Sequence, residues 1–388
     1  MDGRFFRLVD HAVVYLRTLF SGGPNYMIFF VTGRCNLRCS FCFYLEEIEN
    51  ADKDRELTIE EITKIAKRSP ILYHITFTGG ETFLRDDIDE IVKLFYRYSS
   101  TRSVTLTTNG TYPERVGKMV EEMAKSCPNL IVRVPLSMDG FEGVHDQIRG
   151  MPGIWEKVLQ TYELLRVVAD QYSNVKIDVT SVLQQANLDN IETLVDFVNN
   201  KMRVENHAIN FPRGAIQEKE NILPEEQKYK EIISRSSEAR KREKYQFPFF
   251  SRLLIQVRGL TEMAIMEIQR KKKMPFVCQA GVSLIEMNEY GELFPCETLD
   301  TLIKDEETLR QADFNESWMG NVRDHNYDIK QVMDTAQARR VTSFIQKEGC
   351  ACTFECAIGA SLAFKPTNLL KMQFQKIKPA LFEATIGK

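Results

Sequence analysis

Residues 26–44, YMIFFVTGRCNLRCSFCFY, hold the pattern on which the fold turns. Tyr26 to Thr32 is an uncharged run of aromatic, aliphatic and β-branched residues, which predicts a strand buried on both faces, as in a parallel sheet. Gly33 and Arg34 then open a loop that places Cys35, Cys39 and Cys42 at C-x3-C-x2-C spacing. An iron–sulfur cluster suits three thiolates so close, but iron–sulfur motifs usually supply four cysteines, and this loop has three and no histidine. One iron would keep an open position for a substrate or cofactor, as catalytic zinc sites do, whereas a structural zinc knuckle would want a fourth Cys or His nearby.

Outward from this strand, a short β-rich run followed by a helical stretch recurs six times. Strands are predicted over 26–32, 73–78, 103–107, 131–136, 176–183 and 207–212. Helical periodicity fills 58–69, 86–98, 112–126, 154–171 and 188–200, and resumes after Pro224. Such alternation implies βαβ crossovers and a parallel sheet. Six units are too few for a closed eight-stranded barrel. The expected fold class is therefore α/β, an open, partial (β/α)6 TIM-like barrel over 25–245 followed by a small α+β domain over 276–388. A helical extension over 1–24 ends at Ser21-Gly22-Gly23-Pro24. Residues 218–273 are charge-rich and helical in period, interrupted around Gln246-Phe247-Pro248, so 246–275 reads as a helical linker whose Arg270 to Lys273 run is a solvated helix end.

The chain has 388 residues, 43% of them hydrophobic, enough for two or three domains with filled cores and incompatible with a disordered chain. With 51 Lys and Arg against 54 Asp and Glu, the net charge of −3 provides no field for recruiting nucleic acid or an anionic membrane. No stretch reaches the roughly 20 apolar residues of a membrane-spanning helix. A cytoplasmic protein is expected. Of nine cysteines, eight fall into three groups and Cys127 stands alone as a small buried residue. In a reducing compartment that grouping suggests metal ligands before disulfides. His11, His74, His207 and His325 fit no metal spacing and receive no role.

The C-x3-C-x2-C loop, with Phe41 just before the third cysteine, resembles the signature of the radical SAM superfamily. The resemblance implies that Cys35, Cys39 and Cys42 hold a 4Fe-4S cluster whose fourth iron is chelated by S-adenosylmethionine. It implies a one-electron donor such as flavodoxin or ferredoxin, and a 5′-deoxyadenosyl radical that abstracts hydrogen from a substrate. Thr78-Gly79-Gly80-Glu81 looks like the family's GGE segment for the methionine ammonium, with glycines for close backbone approach and a carboxylate to complement a cation. Thr82 stands where the family usually has Pro. Thr108-Asn109-Gly110 and Ser137-Met138-Asp139-Gly140 close the third and fourth strands; by resemblance Asn109 and Ser137 face the ribose, although Asn-Gly and Asp-Gly are also turn formers. His145-Asp146-Gln147-Ile148-Arg149-Gly150 resembles an HDxxRG stretch whose Arg149 pairs with the cofactor carboxylate. Tyr44 would offer its backbone to the adenine, and Leu183 would pack on its ring.

Five further thiols lie in Cys278-x12-Gly291-x4-Cys296 and Cys350-x-Cys352-x3-Cys356. A zinc ribbon is one reading. The opening also resembles the SPASM and twitch domains that follow radical SAM barrels, with Gly320-Asn321 matching their usual GN. Full SPASM domains have seven cysteines, so five imply one auxiliary 4Fe-4S cluster, held by Cys278, Cys296 and two of Cys350, Cys352 and Cys356. Glu297 occupies the position of the acidic base in the sulfatase-maturing members. The expected activity is radical chemistry on a small molecule, such as dehydrogenation, epimerisation or carbon–carbon bond formation. A peptide- or protein-modifying maturase is the second reading, and a non-catalytic iron–sulfur or zinc scaffold the third.

Overall fold

The computed structural model describes residues 3–212, 226–237, 248–303, 316–347 and 350–374. Its centre is β1, Tyr26–Thr32, every residue of which is buried. It is flanked by strands on both sides, β2 (His74–Gly79) and β7 (Leu284–Met287), each parallel to it. From β2 the sheet runs in parallel through β3 (Ser103–Leu106), β4 (Ile131–Ser137), β5 (Val175–Val182) and β6 (Asn206–Asn210). The six expected strands are thus present in a simple parallel order, each within two residues of its predicted bounds.

On the other side of β1 the sheet continues through β7, antiparallel β8 (Glu292–Phe294) and the two-residue β9 (Gly320–Asn321). The two short strands expected around Gly291 therefore extend the barrel sheet, where the sequence suggested a structure apart from it. Only the pairing of β7 with β1, across some 258 positions, reveals this. Helices Ile59–Arg68, Ile88–Tyr98, Pro113–Ser126, Ile154–Gln171 and Ile191–Lys201 connect the strands close to where the periodicity placed them. The expected interruption near 246 and 247 lies outside the described residues; the helix that follows, Pro248–Lys271, ends at the basic run.

Strand alternation divides the barrel into two surfaces. Ile75, Phe77, Val104, Leu106, Val132, Val134, Ile177 and Val179 are fully buried. The intervening positions are mostly polar, among them His74, Thr76, Thr105, Arg133, Lys176 and Asp178. A packed barrel lumen is dominated by branched aliphatic residues. Here these polar side chains alternate with the buried aliphatic set.

Candidate active site

The cysteine loop leaves the carboxyl end of β1 and ends in the short helix Leu45–Glu49. It is fastened to the end of β2 by backbone hydrogen bonds: Gly80 donates to the Thr32 carbonyl and Glu81 to the Arg34 carbonyl, each at 2.9 Å. No side chain fits between them. A Cβ on Gly80 would stand 2.1 Å from the Arg34 oxygen, and one on Gly79, whose φ is +119°, 2.3 Å from the Thr32 oxygen. The glycines of the GGE segment are therefore required by the packing of the loop itself.

Glu81 ends the same segment, near enough to Cys35 for its charge to act on that thiol. Its buried carboxylate accepts from Thr108 Oγ1 at 2.8 Å, Asn109 N at 2.7 Å and Phe83 N at 3.2 Å. Burial raises its pKa, and these donors oppose the rise. It locks β2 to the end of β3. Asn109 is similarly engaged: its carbonyl oxygen accepts from Thr111, and its amide donates to Asn36 of the cysteine loop at 2.9 Å. Ser137 ends β4, its N–H donating to the Thr108 carbonyl. Leu183 is buried just past β5.

The HDxxRG stretch forms the helix Gly143–Arg149 and the turn after it. His145 Nδ1 accepts from the Asp139 backbone at 3.1 Å, and Asp146 caps the next helix by accepting from Gly153 and Trp155. Arg149 reaches the Asp139 carboxylate at 2.5 Å and Cys39 Sγ at 3.7 Å, above the Phe41 ring.

Sequence reasoning missed Glu289, in the turn between β7 and β8. It is fully buried against the cysteine loop, with Oε2 accepting from Tyr44 Oη at 2.6 Å and Oε1 without a hydrogen-bond partner. Gly33 leaves room for it, since a Cβ there would stand 2.6 Å from Oε1. The turn also receives the Leu57 N–H. The C-terminal hairpin thus buttresses both flanks of the first cysteine group, which no local motif announces.

At the opposite end of β1 lies the second group. Cys278, Cys296, Cys350 and Cys352 sit close enough for their charges to act on one another, and Thr298 Oγ1 lies 3.6 Å from Cys296 Sγ and 3.8 Å from Cys352 Sγ. Cys356 points elsewhere, to the hydroxyl of Tyr26 at the start of β1. Glu297 is near enough for its charge to act on the same tyrosine. None of the nine cysteines is joined in a disulfide.

On the Cys356 side, a cavity of about 420 Å³ enters the barrel from the amino ends of the strands. Tyr26, His74, Arg133, Lys176, Arg258 and Cys356 are among its walls. Tyr26 Oη lies 2.9 Å from Thr76 Oγ1, which lies 3.3 Å from His74 Nε2; His74 Nδ1 lies 2.9 Å from Ser103 Oγ. Burial, with Arg133 and Arg258 nearby, lowers the His74 pKa to about 3, so its imidazole is neutral. Arg133 is held by Asp178 at 2.6 Å. The signal for this surface was present in the sequence as alternate polar residues in the strands, although no motif marks them.

The cysteine groups have the chemistry of iron–sulfur ligands. Burial pushes the Cys35 thiol up to about 12 and Cys42 to about 11, so a bound cation must draw the thiolates out. Among the described residues no three Cys, His, Asp or Glu side chains converge as one metal ion would need. Cluster thiolates bind separate irons and stand farther apart than the ligands of one ion. The Nε of Arg149, buried without a hydrogen-bond partner, leaves a donor beside the first group.

An open parallel barrel carrying three cysteines at the end of its first strand is the framework of a radical SAM protein, and residues 29–198 match the model of the Radical SAM superfamily. These residues form a radical SAM domain, and enzymes of that superfamily use a 4Fe-4S cluster and S-adenosylmethionine. It is 32% identical over 179 residues to GTP 3′,8-cyclase of Clostridium botulinum, an alignment covering 45% of this chain and 52% of the relative. The chain thus spans about half the length of these cyclases. It is 26% identical over 313 residues to AdoMet-dependent heme synthase of Methanosarcina barkeri, covering 77% and 83%. In fold it is similar to anSMEcpe with bound AdoMet and Cp18Cys peptide (TM-score 0.55, 14% identity, 94% and 99% covered). Streptococcus suis SuiB bound to S-adenosylmethionine is also similar (TM-score 0.51, 15% identity, 88% and 74% covered). No helix among the described residues is long and apolar enough to cross a membrane.

Proposed function

We propose that this protein reductively cleaves S-adenosylmethionine at Cys35, Cys39 and Cys42 and uses the radical to abstract hydrogen from a substrate held in the barrel lumen. The carrying observation is the C-x3-C-x2-C loop fastened at the carboxyl end of β1, a strand about 20 Å long, with the second cysteine group at its opposite end. When bound, the reduced cluster and S-adenosylmethionine supply a 5′-deoxyadenosyl radical. The chain's own contribution is to hold the loop through Gly79, Gly80 and Glu81, to present Phe41, Tyr44, Asn109, Ser137, Arg149 and Leu183 around the cofactor, and to exclude water.

Cys278, Cys296, Cys350 and Cys352 are proposed to hold one auxiliary 4Fe-4S cluster, leaving Cys356 toward the cavity. Glu297 is proposed as the base that takes the proton when a substrate radical is oxidised. The substrate is proposed to be a small molecule, of a size suited to the described cavity, which helices Gly3–Phe20, Pro248–Lys271 and Glu355–Ala363 help to line. A peptide substrate is the second reading, supported by the likeness in fold to proteins solved with peptides.

Anaerobic incubation with dithionite and S-adenosylmethionine tests the reading. The wild-type chain is expected to form 5′-deoxyadenosine, and a Cys35/Cys39/Cys42→Ala variant to form none while keeping about half its iron. Equal cleavage by that variant would refute the assignment. Glu297→Gln is expected to cleave normally and, with the true substrate, to lose oxidised product; normal turnover would remove the base role.

A further inference from the structure

Arg149 sits where a fixed positive charge would act on the first cluster through a sulfur ligand. It ends the helix Gly143–Arg149 and is 9% exposed. One terminal nitrogen lies 3.7 Å from Cys39 Sγ and the other 2.5 Å from the Asp139 carboxylate, while the guanidinium carbon stands 5.2 Å from the centre of the Phe41 ring. Asp139 is itself fixed. Fully buried, it accepts from Val182 N at 2.7 Å, and its own N–H donates to His145 Nδ1. The guanidinium is therefore held from three sides with its donor aimed at the sulfur. Its charge also reaches Cys42.

Hydrogen bonds to ligand sulfur and nearby charge set the potential of an iron–sulfur cluster. In a poorly solvated site both effects are stronger than in water. We infer that Arg149, positioned by Asp139, donates to the Cys39 sulfur of the loaded site and raises the reduction potential of the first cluster. This is a positioning and tuning role, separate from the carboxylate contact implied by family resemblance, and Nε remains available for that contact. The inference rests on the proposed cluster.

The test is an anaerobic redox titration of the reconstituted protein, following the reduced-cluster EPR signal that changes on adding S-adenosylmethionine. In Arg149→Gln the reduction equilibrium is expected to shift about tenfold toward the oxidised cluster, a potential lower by about 59 mV for one electron. Arg149→Lys keeps the charge but not the fork, and an intermediate shift of about threefold is expected. A shift below twofold in both variants would overturn the inference. If Arg149→Gln takes up no iron, Arg149→Lys decides alone by the same twofold limit. A wild-type chain that binds no cluster would instead sink the functional reading, so the two failures are distinct.

Discussion

At Gly80 the difference between hydrogen and a methyl group bears on a whole metal site. The atoms a Cβ would meet are backbone atoms of the cysteine loop, Arg34 O at 2.1 Å and Arg34 C at 2.5 Å, which have no rotamer with which to yield. Gly80→Ala is therefore expected to displace the loop at a cost of about 1 to 3 kcal/mol, as overpacking does. Because the loop carries all three ligands, iron bound at the first site should fall more than tenfold while the second site keeps its own. Iron and sulfide analysis of the purified variant checks this, and wild-type loading would show that the loop moves freely. Single residues were the most legible scale in the cysteines and the least in the polar partners. Glu81 and Asn109 read as ligand contacts or turn formers from sequence, and the fold also engages each with a backbone N–H group. Glu289, which holds the loop from the far end of the chain, had no signal at all.

Elements were legible because their signals are local. Thr58 and Glu61 form a capping box that starts the helix Ile59–Arg68, and Pro113 starts the helix Pro113–Ser126. The continuation of the barrel sheet through β7, β8 and β9 was not legible, since pairing between residues hundreds of positions apart leaves no periodic trace. The same helix start shows how the late segment is attached. Glu61 takes a fork from Arg323, with Nε to Oε1 at 2.8 Å and Nη2 to Oε2 at 3.0 Å, and this pairing brings its pKa down to about 2. A depressed carboxylate stabilises fully above its unfolded value near 4.5 and loses that contribution as pH falls toward 2. Glu61→Gln is expected to cost about 1 kcal/mol at pH 7, the pair being partly exposed, and the gap from wild type should close progressively below pH 4.5. Urea denaturation at pH 7 and pH 3.5 measures both; no loss at pH 7 would leave the pair without energetic weight.

For the molecule as a whole, acid sensitivity follows from buried imidazoles. Burial lowers His11 to about 4 and His74 and His145 to about 3. Each binds its proton more weakly folded than unfolded, so stability is complete above pH 6.5 and declines as pH falls toward those values. With three such groups the slope between pH 6.5 and 5 can reach, and should not exceed, about 4 kcal/mol per pH unit. Urea titrations of the iron-free chain across that window should show the decline, and His74→Asn should flatten it. A flat profile would mean that water reaches these rings in the folded state. One further consequence attaches to β1. Its partner on one side arrives early, as β2, but the other, β7, is made about 255 residues after β1 ends. At roughly 5 to 20 residues per second of synthesis, the edge of its first four residues waits about 13 to 50 s on the ribosome for its neighbour. An uncharged YMIFFVT strand with an open edge is a template for pairing with another chain. The first half of this protein is thus born sticky, and the arrival of the hairpin near residue 290 is what closes that hazard.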